Sequence, residues 1–89
     1  LLPFELTSHQ YYVRIIVEDK PGVLEKVSTV FSKEQCSIER IMQNSIEDNK
    51  AEIVIVTDKM QEKKFSGIEA LLNEIDELEH VASKIRVAK

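Results

Sequence analysis

The spacing of apolar residues changes abruptly near the start of the chain, and this change restricts the fold more than any other feature. Across Tyr11-Tyr12-Val13-Arg14-Ile15-Ile16-Val17-Glu18 the pattern has a period of two. Tyr11, Val13, Ile15 and Val17 share one side, all apolar, while Tyr12, Arg14, Ile16 and Glu18 share the other, as a strand with one face on a core requires. From Val23 onward, Val23, Leu24, Val27, Val30 and Phe31 recur three and four apart, the spacing of a helix with one buried stripe. Only Asp19-Lys20-Pro21-Gly22 lies between them. A strand must therefore pass almost directly into a helix, and the apolar sides of both must share one core.

The residues of that junction allow two readings. Asp19 is a residue type that caps helices, Pro21 has its φ preset and no N–H to lose in a first turn, and Gly22 permits close approach of backbone or ligand. On the first reading, Asp-x-Pro-Gly is simply a good helix start. On the second, the N–H groups of Gly22, Val23 and Leu24 face outward at the positive end of the helix dipole, where a carboxylate would be held.

The rest of the chain continues the alternation of strands and helices. The first helix is expected over Pro21 to Glu34, with Gln35 forced to φ > 0 because no glycine is present to end it. A second strand, Ser37 to Ser45, breaks register: Ile38 and Ile41 are three apart while Ile38, Arg40 and Met42 alternate, so either a bulge intervenes or both faces are partly covered. Ile46 to Lys50 reads as a hairpin loop, with Asp48 and Asn49 suited to turn conformations. The run Ile53-Val54-Ile55-Val56 makes the third strand, Ala51 to Thr57, a central one. A second helix is expected over Glu62 to Leu78, with its stripe at Phe65, Ile68, Leu71, Leu72, Ile75 and Leu78, weakened at Gly67 by roughly 1 kcal/mol relative to Ala. Val81 to Val87 reads as a short fourth strand.

Strand–helix–strand–strand–helix–strand is the order of the α+β, ferredoxin-like βαββαβ fold: a four-stranded antiparallel sheet in the order 4-1-3-2, with two helices on one face. That arrangement leaves the other face bare, lined by Tyr12, Ile16, Val54 and Val56, and leaves the second strand with an open edge. Both features point to a homodimer or to packing on a parent protein. Leu1 to Gln10 has no clean period and reads as a linker from an upstream catalytic region, with an exposed, inert His9, ahead of a domain over 11–89. The missing initial Met agrees with a fragment of something longer.

Composition narrows the function. The 89 residues carry a net charge of −4 with no basic block, which argues against nucleic acid. No apolar run is long enough to cross a bilayer and no signal-peptide pattern opens the chain, so a soluble, cytoplasmic setting is expected and no membrane partner. The single cysteine, Cys36, reads as a small apolar filler, and His9 and His80 have no metal-ligand spacing, so no metal site is expected. An RNA-binding module on the same topology would place aromatic residues on the third strand, which has none. A stand-alone catalyst would have only Arg14 to hold an anion.

Tyr11-Tyr12-Val13-Arg14, then Val17-x-Asp19-x-Pro21-Gly22-Val23-Leu24, Ser37-Ile38-Glu39, Met42-Gln43 and Ala51-Glu52-Ile53-Val54-Ile55-Val56-Thr57, together resemble the ACT domain at the C-terminus of bacterial homoserine dehydrogenases. The resemblance covers roughly residues 10 to 88. It implies a regulatory module that binds an amino-acid effector, threonine by preference, at a subunit interface. It implies that Asp19, Gly22, Val23, Leu24, Ser37 and Ile38 contact that effector, with no catalytic residue in this chain. The parent would interconvert aspartate semialdehyde and homoserine using NAD(P) bound upstream; this chain, lacking a glycine-rich dinucleotide fingerprint, would carry no cofactor. The alternatives are a purely structural dimerisation module, or an ACT domain of another amino-acid-pathway enzyme.

Overall fold

The computed structural model of the chain describes residues 8–87. It contains β1 (Ser8–Glu18), α1 (Val23–Lys33), β2 (Ile38–Ile46), β3 (Lys50–Thr57), a two-residue β4 (Met60–Gln61), α2 (Glu62–Leu72) and β5 (Leu78–Val87). β1 pairs antiparallel with β3 on one side and β5 on the other, and β2 pairs with β3. The long strands therefore lie in the order β5-β1-β3-β2, the expected ferredoxin-like arrangement with β5 as its fourth strand. β4 adds a short extension. Tyr12 faces Val56, but His9 faces Met60, so β4 resumes the pairing on β1 after one extra residue.

The period-two pattern of β1 places Tyr11, Val13, Ile15 and Val17 under the helices at 4%, 1%, 0% and 1% exposure. They meet Ile53 and Ile55 from β3, Val23, Val27, Val30 and Phe31 from α1, and Phe65, Ile68 and Leu72 from α2 in one core. Where β3 gives way to β4 the backbone ladder is interrupted. There the fully buried Thr57 accepts the Tyr11 N–H through Oγ1 at 3.0 Å, replacing the missing carbonyl.

The irregular second strand contains a bulge. Ile38 pairs with Thr57 and Arg40 with Val56, so Glu39 is the extra residue. That insertion explains the three-residue spacing: Ile38 and Ile41, on either side of it, both pack against the core. Gln35 takes φ 55° as expected, and Asp48 and Asn49 at the hairpin tip take φ 64° and 57°.

Five expectations need correction. Pro21 and Gly22 lie ahead of α1, because the chain makes a separate turn before the helix begins at Val23. α2 stops at Leu72 and not Leu78: Asn73 caps it, folding its side-chain amide back onto the Glu69 carbonyl at 3.0 Å, and Glu74 and Ile75 donate to Leu71 and Leu72 in tight turns. Leu78 then opens β5, three residues before the expected start, while Ile75 still reaches the core from the connection. Ser8, His9 and Gln10 belong to β1, so only residues 1–7 of the expected linker remain, and these lie outside the described residues. His9 is half-buried and engaged with neighbouring groups, not freely exposed.

The outer face is less bare than its sequence suggests. Ile16 and Val54 are only 7% and 5% exposed, and Tyr12 and Val56 are half-buried. Arg14 lies opposite Val54 and Glu52 opposite Ile16, so the Arg14–Glu52 ion pair crosses the diagonal over those two side chains. Among the described residues the exposed large apolar side chains are instead Met42, Ile46 and Ile85, on the two edge strands.

Candidate functional site

The junction between β1 and α1 is a type II turn. Lys20 accepts the Val23 N–H at 3.4 Å, Pro21 and Gly22 are the central residues, and Gly22 stands at φ 86°, ψ −9°, a conformation that favours glycine. The first helical bond follows, from Lys26 N–H to the Gly22 carbonyl at 3.1 Å. Helix geometry leaves the N–H groups of Leu24 and Glu25 without partners four residues back, at the positive end of the dipole.

Asp19 is not the cap. α1 has no side-chain cap, and Gly22 occupies the N-cap position. The Asp19 N–H donates to the Asn49 carbonyl at 2.8 Å, and its carboxylate accepts from Ser45 Oγ at 3.4 Å. On the other side, Glu18 N–H donates to the Glu77 carbonyl at 2.8 Å, and Lys26 Nζ lies 2.9 Å from both Glu77 carboxylate oxygens. The turn is thus held between the β2–β3 hairpin tip and the α2–β5 connection, and Lys26 keeps the Glu77 carboxyl below its ordinary pKa.

The six residues expected to contact an effector do not meet within one chain. Asp19 and Gly22 are exposed on the turn and Leu24 is half-buried beside it. Val23 points into the core at 2% exposure, and its N–H closes the turn. Ser37 and Ile38 follow the far end of α1, where Ser37 is exposed, its carbonyl accepts from Asp58 N–H at 3.0 Å, and Ile38 is half-buried. The 11 residues of α1 separate the two groups, a distance of about 16 Å at ~1.5 Å per residue. Ser45 and Asn49 were missed. Nothing in their local pattern marks them, because only the β2–β3 pairing delivers them to Asp19.

What the turn offers chemically is a carboxylate, a hydroxyl and unpaired N–H groups on an exposed surface. These are binding groups and not a nucleophile with a base. No three His, Cys, Asp or Glu side chains cluster to hold a metal among the described residues. Burial pushes the half-buried Cys36 thiol up, away from reactivity. A separate groove of about 340 Å³ runs between α1 and the end of α2, floored by Val30, Leu71 and Ile75, and contains none of the six residues. No described helix is long and apolar enough to cross a membrane.

Comparison with known proteins covers nearly the whole chain. The family model described as ACT domain matches residues 11–80. A homoserine dehydrogenase of Bacillus subtilis strain 168 is 41% identical over 80 residues, which is 88% of this chain and 18% of that protein. The Pseudomonas aeruginosa homoserine dehydrogenase is 34% identical over 89 residues, 98% of this chain and 20% of the relative. A crystal structure of the Thiobacillus denitrificans homoserine dehydrogenase superposes with a TM-score of 0.81 at 25% identity, covering 96% of this chain and 19% of that one. The chain therefore spans about a fifth of the length of the relatives it matches.

Proposed function

The chain belongs to the ACT domain family of regulatory domains, and from that footing we propose that it is the effector-sensing part of a homoserine dehydrogenase. The observation that carries the reading is the joint match: an ACT module over residues 11–80 and homoserine dehydrogenases aligned across 88% and 98% of the same chain. The parent would interconvert aspartate semialdehyde and homoserine, with NAD(P) and the catalytic groups held outside this domain.

Threonine is the proposed effector. Its carboxylate would sit on the outward N–H groups of Gly22 and Leu24, its ammonium against Asp19, and its hydroxyl on Ser37. Because Asp19 does not cap α1, helix stability does not account for its carboxylate. Since Ser37 and Ile38 lie a helix length away, they would come from a second copy. Glu39, Arg40 and Met42 to Ile46 are exposed along the edge strand β2. Two copies joined antiparallel along that edge would bring the Ile38 end of one β2 beside the Ile46 end of the other, where Ser45 already touches Asp19. Effector binding would then change how two subunits sit, a coupling typically worth about 1–3 kcal/mol.

Calorimetry of the chain with millimolar threonine tests this. Saturable heat is expected, and Asp19→Ala should abolish it while changing stability by less than about 0.5 kcal/mol, because no cap is lost. Absence of heat with the unaltered chain would rule out threonine as a ligand of this domain. The same exposed β2 edge favours a second reading, a module that only joins subunits; it predicts dimerisation without any response to threonine.

A further inference from the structure

A second polar site lies at the opposite end of the sheet from the Lys20–Val23 turn. Tyr11 is clamped there. Its ring stacks on Phe65 with 4.1 Å between centroids and 3° between planes, and its N–H is held by Thr57 Oγ1 at 3.0 Å. Tyr11 is only 4% exposed, yet among the described residues its hydroxyl is the one buried side-chain polar atom without a hydrogen-bond partner. A buried hydroxyl left unbonded forfeits its hydration with nothing in return, so such groups are normally met by water or a ligand.

Tyr11 also lines a cavity. A space of about 160 Å³ is lined by Tyr11, Glu62, Phe65, Ser66, Lys84 and Arg86. Burial, followed by the Glu62 charge, raises the Tyr11 pKa while Arg86 and Lys84 oppose, so the phenol stays a protonated donor at neutral pH. The charges acting on the hydroxyl are thus those of the cavity wall. Lys84 is steadied by Glu69 Oε1 at 2.9 Å and lies 6.0 Å from the Phe65 centroid, while Arg86 Nη1 meets Glu62 Oε1 at 3.2 Å.

Within the lining two cations face one carboxylate, with Glu69 answering Lys84 from outside it, and the hydroxyls of Tyr11 and Ser66 add donors. The complement of a donor-rich wall with so little net charge is a small group rich in acceptors that carries at most one negative charge. A doubly charged phosphate would meet the Glu62 carboxylate. The volume corresponds to about five waters at ~30 Å³ each, room for a carboxylate of roughly four to six heavy atoms. We propose that this cavity binds a small monocarboxylate whose oxygens accept from the Tyr11 hydroxyl and pair with Lys84 and Arg86. The site shares no residue with the threonine reading and stands or falls without it.

The test is an amide chemical-shift titration of the chain with sodium acetate, against sodium chloride at matched ionic strength and pH. A saturable shift centred on Tyr11, Ser66, Lys84 and Arg86 is expected with acetate and not with chloride. Tyr11→Phe keeps the stacked ring and should weaken the apparent Kd about two- to tenfold, the worth of one neutral hydrogen bond. Arg86→Gln should weaken it more than about tenfold, since a charged bond is lost. Should Arg86→Gln melt the fold, Lys84→Gln takes its place. Shifts no larger than those with chloride, or acetate shifts that survive the substitutions, would overturn the proposal.

Discussion

Gln35 ends α1 in the left-handed region at φ 55°, where a glycine is usual. It forms the Schellman arrangement all the same: Cys36 N–H reaches the Phe31 carbonyl at 2.9 Å, and Gln35 N–H reaches Ser32 at 3.0 Å. A side chain there costs about 1–2 kcal/mol, part of which glycine returns through its freer unfolded chain. Gln35→Gly should therefore stabilise the domain by roughly 0.5–1 kcal/mol, read as a higher urea midpoint at unchanged slope. The strain was legible in the sequence, because a helix that must stop without glycine leaves few alternatives. The role of Asp19 was not. Its residue type fits a cap, but Gly22 at φ 86° takes that position and turns Asp19 toward Ser45 and Asn49.

At the scale of elements, α2 carries its glycine at no structural gain. Gly67 is exposed, and a Cβ there would meet only Glu34 Oε1 at 3.9 Å, ordinary van der Waals contact. Gly67→Ala should raise stability by about 0.5–1 kcal/mol, measured by chemical denaturation, with no change at the turn. A loss of stability would mean that α2 and α1 are closer in solution than this geometry allows. The end of α2 was misjudged from sequence because Ile75 and Leu78 keep the helical spacing after the helix has stopped. Ile75 packs on the core from a turn and Leu78 from a strand, so burial mimicked periodicity. The acidic residues Glu74, Asp76 and Glu77 also oppose extension, since negative charge is unfavourable at a helix C-terminus. The β2 bulge had the reverse outcome: two isoleucines three apart recorded it directly.

At the scale of the whole molecule, two of the ion pairs that tie distant elements lower a carboxyl pKa and so contribute to the acid response. Arg14 holds Glu52 below its ordinary pKa of 4.5 across β1 and β3, and Lys26 does the same to Glu77 between α1 and the α2–β5 connection. A carboxylate depressed by folding adds stability that is present above pH 4.5 and is lost as pH falls through the lower folded value. Urea midpoints should hold from neutral pH to about 5 and decline below 4.5, with a shallower decline in Arg14→Gln. An equally steep acid limb in that variant would show that other carboxylates dominate.

Subunit pairing is tested at the same scale by sedimentation equilibrium with and without threonine. If the effector bridges two copies, linkage requires the dimer dissociation constant to fall by about 5- to 150-fold at saturation. An unchanged constant would leave only the joining role for the β2 edge.

The order of the long strands and helices, the buried sides of β1 and α1, the left-handed Gln35 and the irregular β2 were all legible in the chain, because each follows from residues within a few positions of one another. Tertiary structure alone decided the rest. Thr57 supplies an acceptor to Tyr11 from 46 positions away, and Glu52 and Arg14 cover Ile16 and Val54 through pairing across the sheet. It also set Ser37 and Ile38 a helix length from Asp19, so the six residues do not meet within one chain. Periodicity reports which side of an element is buried. Which groups then meet depends on the register between strands and the path of the connections, which no local pattern encodes.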